Sequence, residues 1–220
     1  MNVFYNEFSD YKLFVNTFFP ESILNANICF FNKSVQSLFK CIYLIELIIN
    51  ELDNDLDQEA VDILLDTNAM IYRMLYILPT SEKYFVSSAM RGLCESVLRT
   101  ILISECLPAD LNNLRNEQYR HISTKVKESN LYTHCKVSID KVISLFGQHS
   151  KIIHNKQKNS EHITYLEEYM NGFNSYTIDT LNSNIKMITS TLLDILVISY
   201  QFDPSEFTQY NKKIYKQIFS

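Results

Sequence analysis

The sequence predicts an all-α protein, and three observations carry that expectation. The 220 residues include only 3 Gly and 4 Pro, whereas a sandwich or barrel of short strands needs turn formers about every ten positions. Apolar residues recur at spacings of three and four, the period of a helix face, and not at the spacing of two that marks a half-buried strand. Hydrophobic residues make up 46% of the chain, enough to build a sizeable core and too many for a disordered polymer.

Taken in order, a first helix is expected over roughly Val3–Phe19. Pro20 suits the first turn of a second helix, reaching about Leu52 with the stripe Val35, Leu38, Phe39, Ile42, Ile45, Ile49 and Leu52. The acidic linker Asp53–Asp57 leads into a third helix, Gln58–Leu78, stopped at Pro79. Thr80 or Ser81 is positioned to cap a fourth. Its pattern is the clearest in the chain: Val86, Ala89/Met90, Leu93/Cys94, Val97/Leu98, Ile101/Leu102. A looser stretch from Pro108 holds a short helix, and a further helix covers about Val137–His154. A polar loop follows at 155–160, then a weak helix near Glu161–Asn171. A long helix over Ile178–Tyr200 carries Ile178, Leu181, Ile185, Ile188, Leu192, Ile195 and Ser199, an a/d seam of alternating threes and fours. Asp203-Pro204-Ser205-Glu206 resembles a capping box with Pro at N1 and predicts a last short helix. The expected organisation is N-terminal helices packing on the core (1–57), a helical bundle (58–200) and a C-terminal short helix (201–220).

Several function classes are excluded. There is no G-x-G-x-x-G run, no Walker-type lysine loop and no G-x-S-x-G elbow. Cys29, Cys41, Cys94, Cys106 and Cys135 are odd in number, form no C-x-x-C pair and sit among apolar residues. They read as reduced, buried thiols of a cytoplasmic protein. The start, MNVFYNEFSD, lacks the basic and apolar regions of a signal peptide. The most apolar runs, Cys41–Ile49 and Leu192–Tyr200, are interrupted by Glu46 and Asp194 and are shorter than the ~20 residues of a membrane span. No membrane association is expected. Neither is a metal or cofactor: His149 and His154, five apart, project about 140° from one another around a helix, and no H-x3-H or H-E-x-x-H spacing occurs.

Net charge is −5, but it is unevenly spread. Residues 111–158 carry nine Lys/Arg against three acids, and all five histidines fall between His121 and His162. Residues 46–66 hold eight acids and no Lys or Arg. A basic segment in an acidic protein fits either a phosphate-binding footprint or a solvated helix face.

Two constellations carry potential chemistry. In Phe146-Gly147-Gln148-His149-Ser150-Lys151-Ile152-Ile153-His154, extending the stripe Ile139, Val142/Ile143, Phe146 places Ser150 and His154, four apart, on the inward side. A polar group facing inward needs a partner or borders a cleft. In Arg91-Gly92-Leu93-Cys94-Glu95, the Arg and Glu are four apart beside the strongest apolar stripe. They form an intrahelical ion pair, or Glu95 orients Arg91 towards a phosphate.

Together these segments resemble the HEPN superfamily (higher eukaryote and prokaryote nucleotide-binding domains). The likeness rests on Ala89-Met90-Arg91-x-x-x-Glu95 on one helix and Phe146-Gly147-x-x-Ser150-x-x-x-His154 on another. It is nearest to branches found in bacterial abortive-infection and defence genes, and covers roughly residues 60–200. The resemblance implies an up-down helical core, with extra N-terminal helices here, and a homodimer or a hetero-complex with a defence-system partner. It also implies binding of RNA or a nucleotide, or metal-independent RNA cleavage. Its nuclease motif is R-x4–6-H. His154 matches the His, but Gln148 and His149 stand where the Arg belongs. Arg115 to His121 is a literal R-x5-H without the family's flanks. The implied catalytic set is His154, Ser150, Arg91 and Glu95, with His149, Lys151, Lys156 and Lys158 on RNA or phosphate. The alternative is a non-catalytic helical subunit or adaptor that docks in a larger complex.

Overall fold

The computed structural model describes all residues except 1–2, 27–30, 53–55, 57, 81, 106–113, 115–116, 155–174, 202, 204, 206 and 220. No strand occurs among the described residues. The helices are α1 (Val3–Phe18), a short α2 (Ile23–Ala26), α3 (Gln36–Glu51), α4 (Gln58–Ile77), α5 (Lys83–Ser104), α6 (Tyr119–Glu128), α7 (Asn130–His154), α8 (Ser175–Tyr200) and α9 (Gln209–Phe219). A π-helical turn, Phe31–Val35, leads into α3, and a 3-10 turn, Leu78–Thr80, separates α4 from α5.

The long helices close on one another. α3 packs on α4, α4 on α5, α5 on α7, α7 on α8 and α8 back on α3, while α5 and α8 also touch across the middle. One buried apolar cluster runs from Val15 to Ile218. α3 is a member of this ring, contributing Leu38, Phe39, Cys41, Ile42, Leu44, Ile45 and other buried residues. Each fully buried Leu or Ile contributes about 1.5–3 kcal/mol through removal from water. Two buried hydroxyls inside the ring find partners. Thr67 on α4 and Thr100 on α5 share a hydroxyl contact of 3.2 Å, and each donates to, or shares with, a carbonyl of its own helix. The Tyr11 hydroxyl donates to the Leu75 carbonyl at 2.6 Å and ties α1 to the end of α4.

The expected a/d seam of the long C-terminal helix is real, and it is spent inside the chain. Leu181, Ile185, Ile188, Leu192 and Ile195 are all buried against α3, α5 and α7. It therefore offers no surface for a second subunit. By length and composition the Ile178–Tyr200 segment is long and apolar enough to cross a bilayer, longer than the Leu192–Tyr200 run read from sequence, but its apolar seam faces the bundle.

Boundaries differ where local signals compete. The expected continuous helix from Pro20 to Leu52 is divided: Pro20 lies in a turn, α2 spans one turn, and the helix resumes at the π-turn. α5 is capped by Glu82, whose carboxylate accepts from the Tyr84 amide at 2.9 Å and from the Phe85 amide. A carboxylate at a helix start gains from the dipole as well as from the hydrogen bonds. Thr80 instead accepts from the Glu82 amide. α7 begins at Asn130, seven residues before the expected Val137, and bends at Cys135 (φ −113°, ψ 23°). The last helix starts at Gln209, where Thr208 Oγ1 accepts from the Asn211 amide at 3.2 Å, while Asp203 accepts from the Ser205 amide at 2.8 Å. The weak helix expected near Glu161–Asn171 lies outside the described residues.

Candidate functional site: the Arg91–Phe146 end of the α5–α7 pair

α5 and α7 run antiparallel along their length. Where α5 ends, the Glu105 carboxylate accepts from the Asn130 amide at 3.0 Å and from the Leu131 amide, capping the start of α7. Where α5 begins, Ser87 and His149 line one cavity. Between these points the Arg91 guanidinium lies over the Phe146 ring, 5.0 Å from its centroid. The two sequence segments that carry the family resemblance thus meet in space.

Phe146 is buried, and Tyr119 at the start of α6 stacks on it with centroids 3.3 Å apart and planes within 6°. The Tyr119 hydroxyl donates to the Ile143 carbonyl at 3.3 Å, and burial pushes its pKa up. A cation over such a stack is held by the ring quadrupole, worth about 0.5–2 kcal/mol depending on desolvation. Arg91 Nε is buried with no hydrogen-bond partner.

Glu95 does not steady Arg91. It pairs with Arg99 at 2.6 Å, and Arg99 also donates to the Glu117 carbonyl at 3.2 Å. Both arginines stand four residues from Glu95. The Glu-then-Arg order is the better one on a helix, and Arg99 has a second anchor that Arg91 lacks.

The inward histidine is His149. It is 9% exposed, and both ring nitrogens are buried without a hydrogen-bond partner. Burial lowers its pKa from the ordinary imidazole value. His154, expected on the inward side, is exposed at the last position of α7. The buried row of α7 is Ile139, Val142, Phe146, His149, in steps of three and four. The row Val142–Phe146–Ser150–His154 takes only steps of four, which overshoot a full turn by about 40° each, so it winds off the buried face. Ser150, one step along that row, is half-buried and its Oγ is buried without a partner.

The cavity beside His149 measures about 150 Å³ and is bounded by the start of α5, the end of α7 and the start of α8. Lys83, Ser87, Gln148, Thr180 and Asn184 supply its polar lining. Gln148 apart, nothing in the sequence singles these residues out, and no signal there joins positions 83–87 to 180–184; only the packing does. Tyr119 was likewise passed over as one aromatic among many. A second cavity of about 270 Å³ lies between α4 and α5, with Asp66, Arg73, Glu95 and Arg99 around Gly92. A Cβ on Gly92 would come within 2.8 Å of the Met70 sulfur, so the glycine lets that thioether lie against α5.

Lys151 is exposed, as are Arg120, Lys127, Lys136 and Lys141 on α6 and α7. Lys125 is paired with Glu117 at 3.0 Å. Lys156 and Lys158 lie outside the described residues, as does His162. Among the described residues no three His, Cys, Asp or Glu converge as metal ligands would. Burial raises the Cys41 and Cys94 thiols, the latter to about 12, which keeps both protonated and unreactive. Compared with protein-family models, curated proteins and solved structures, the chain matches none.

Proposed function

We propose that the chain is a HEPN-like helical protein of a prokaryotic defence or toxin system, acting in the cytoplasm and binding RNA or a nucleotide at the Arg91–Phe146 end of the α5–α7 pair. One observation carries this reading. The two resemblance segments, far apart in sequence, pack together with Arg91 over Phe146 and with polar atoms of Arg91, His149 and Ser150 left without partners beside it. Unpartnered buried polar groups cost about 1–3 kcal/mol each, a cost that a bound ligand would offset. The exposed Lys151 and the cations of α6 and α7 supply phosphate contacts along the approach. In this reading the HEPN-like chemistry is metal-independent, with His154 moving the proton of a ribose hydroxyl and a cation stabilising the phosphate charge.

The second reading is a non-catalytic helical subunit. It is favoured by His154 being exposed at the helix end, eight residues, or roughly 12 Å of helix rise, beyond the Phe146 that holds Arg91. One experiment separates the two: fluorescence anisotropy of a labelled single-stranded RNA, with cleavage followed in EDTA. Binding that weakens in Arg91→Ala and Lys151→Glu, with cleavage lost in His154→Ala, supports the first. Absence of binding at low salt leaves the subunit reading.

A further inference from the structure

We propose that the cavity beside His149 binds a small aromatic carboxylate, a single ring carrying a hydroxyl opposite its carboxylate. The cavity is graded from mouth to floor. Lys83, Gln148 and Thr180 are exposed at its mouth, whereas Val86, Ser87, His149 and Leu181 are buried. Its walls come from the start of α5, the end of α7 and the start of α8, so packed helices set its shape.

Three properties of the lining select the ligand. The first is size. The cavity measures about 150 Å³, and an engineered apolar cavity of about that volume holds benzene. One six-membered ring therefore fits, while larger cofactors need several hundred Å³. Val86, Ile152 and Leu181 give the ring apolar walls. The second property is charge. Among the described residues Lys83 is the one charged side chain on the lining. The neighbouring Glu82 is committed to capping α5 through the Tyr84 and Phe85 amides. An ammonium at the mouth calls for one anionic group at the outer end of the ligand. The third property is the floor. His149 is 9% exposed, and both its ring nitrogens are buried without a hydrogen-bond partner. Burial favours the neutral ring, which presents one donor and one acceptor nitrogen. A hydroxyl both donates and accepts, so it satisfies either nitrogen. An outer anion and an inner hydroxyl on one ring place the two groups opposite each other. Arg91 and Lys151 line no part of this cavity, so the proposal goes beyond the RNA-binding reading and does not rest on it.

The test is isothermal titration at neutral pH with 4-hydroxybenzoate as the probe, alongside the ¹⁵N signals of the His149 ring. With about ten non-hydrogen atoms, the probe should bind the wild type with a Kd of about 1 mM or tighter, and the His149 signals should shift on saturation. Benzoate, without the hydroxyl, and phenol, without the carboxylate, should each bind about tenfold more weakly. Lys83→Gln, at an exposed position, should reduce 4-hydroxybenzoate to the affinity of phenol and leave phenol unchanged. His149→Phe should bind 4-hydroxybenzoate no more tightly than benzoate; if that variant loses helix, the Lys83→Gln comparison decides alone. A wild type that gives neither heat nor a shift of the His149 signals at about ten times that Kd would overturn the proposal. So would binding indifferent to Lys83→Gln, or binding that leaves the His149 signals unmoved. RNA affinity enters none of these readouts, so failure of the RNA-binding reading would leave them intact.

Discussion

At the scale of single residues, a polar group's meaning depends on which way one helix turns it. His149 and His154 are five positions apart on α7, yet one is buried without partners and the other is exposed. The depressed pKa of His149 has a consequence for stability. Its folded pKa lies below its unfolded one, so the unfolded chain binds the proton more readily. The neutral ring's contribution is intact above the unfolded value of about 6.5 and is lost as pH falls through the folded value. His149→Gln should therefore flatten the fall in melting temperature on the acid side of pH 6.5, measured by thermal unfolding across pH. A variant as acid-sensitive as the wild type would assign that sensitivity elsewhere. His154→Ala should leave the melting temperature nearly unchanged, because an exposed side chain at a helix terminus holds little in place. Any loss of toxicity or RNA cleavage in it then reports chemistry and not unfolding, whereas full activity with normal folding would remove His154 from the proposed site.

At the scale of elements, helix ends are held by side chains whose roles differ from what local pattern suggests. Glu105 caps α7 across the α5–α7 pair. Glu105→Ala should cost about 1 kcal/mol and release the first turn of α7, seen as faster amide exchange at Asn130 and Leu131. α8 ends at Tyr200, and Gln201 just after it takes the left-handed backbone conformation (φ 37°) while its amide donates to the Val197 carbonyl at 3.2 Å. A side chain there is strained and glycine is not. Gln201→Gly should raise stability by a few tenths to about 1 kcal/mol in denaturant unfolding; a decrease would mean that the glutamine side chain makes compensating contacts. The seam of α8 is the opposite case. Leu192 is fully buried between helices distant in sequence, so Leu192→Ala should cost about 2–5 kcal/mol, far beyond any helix-propensity effect.

At the scale of the whole molecule, charge and closure of the bundle set the expected behaviour. Exposed Lys and Arg gather on α6 and α7, while acidic residues dominate the 46–66 segment. Association with RNA should therefore fall steeply as salt rises. Lys127→Glu together with Lys141→Glu should weaken binding of every RNA sequence alike and reduce the salt slope, measured by anisotropy titrations. Binding insensitive to both salt and these changes would show that the basic helices are only solvated. The helical ring is closed by α3, which packs on both α4 and α8, so a chain beginning at residue 58 would expose the apolar sides of both.

The all-α class, the rough positions of the long helices and the apolar seam of α8 were legible in the sequence, because the 3.6-residue period of Val86–Leu102 and Ile178–Ser199 is a local property; that the seam is buried within the chain was decided by the packing of α3, α5 and α7 on it. The sequence also marked the Arg91 and Phe146 segments as worth joining. Only the tertiary structure decided how they meet. Glu95 had two arginines within reach, and the Glu117 carbonyl, brought in by a separate segment, tipped it to Arg99. His149 faced inward because the true buried row of α7 steps by three as well as four, a choice made by α5 and α8 pressing against it. The cavity linking Ser87, His149 and Asn184 has no sequence signature at all, since it arises where three helix ends converge.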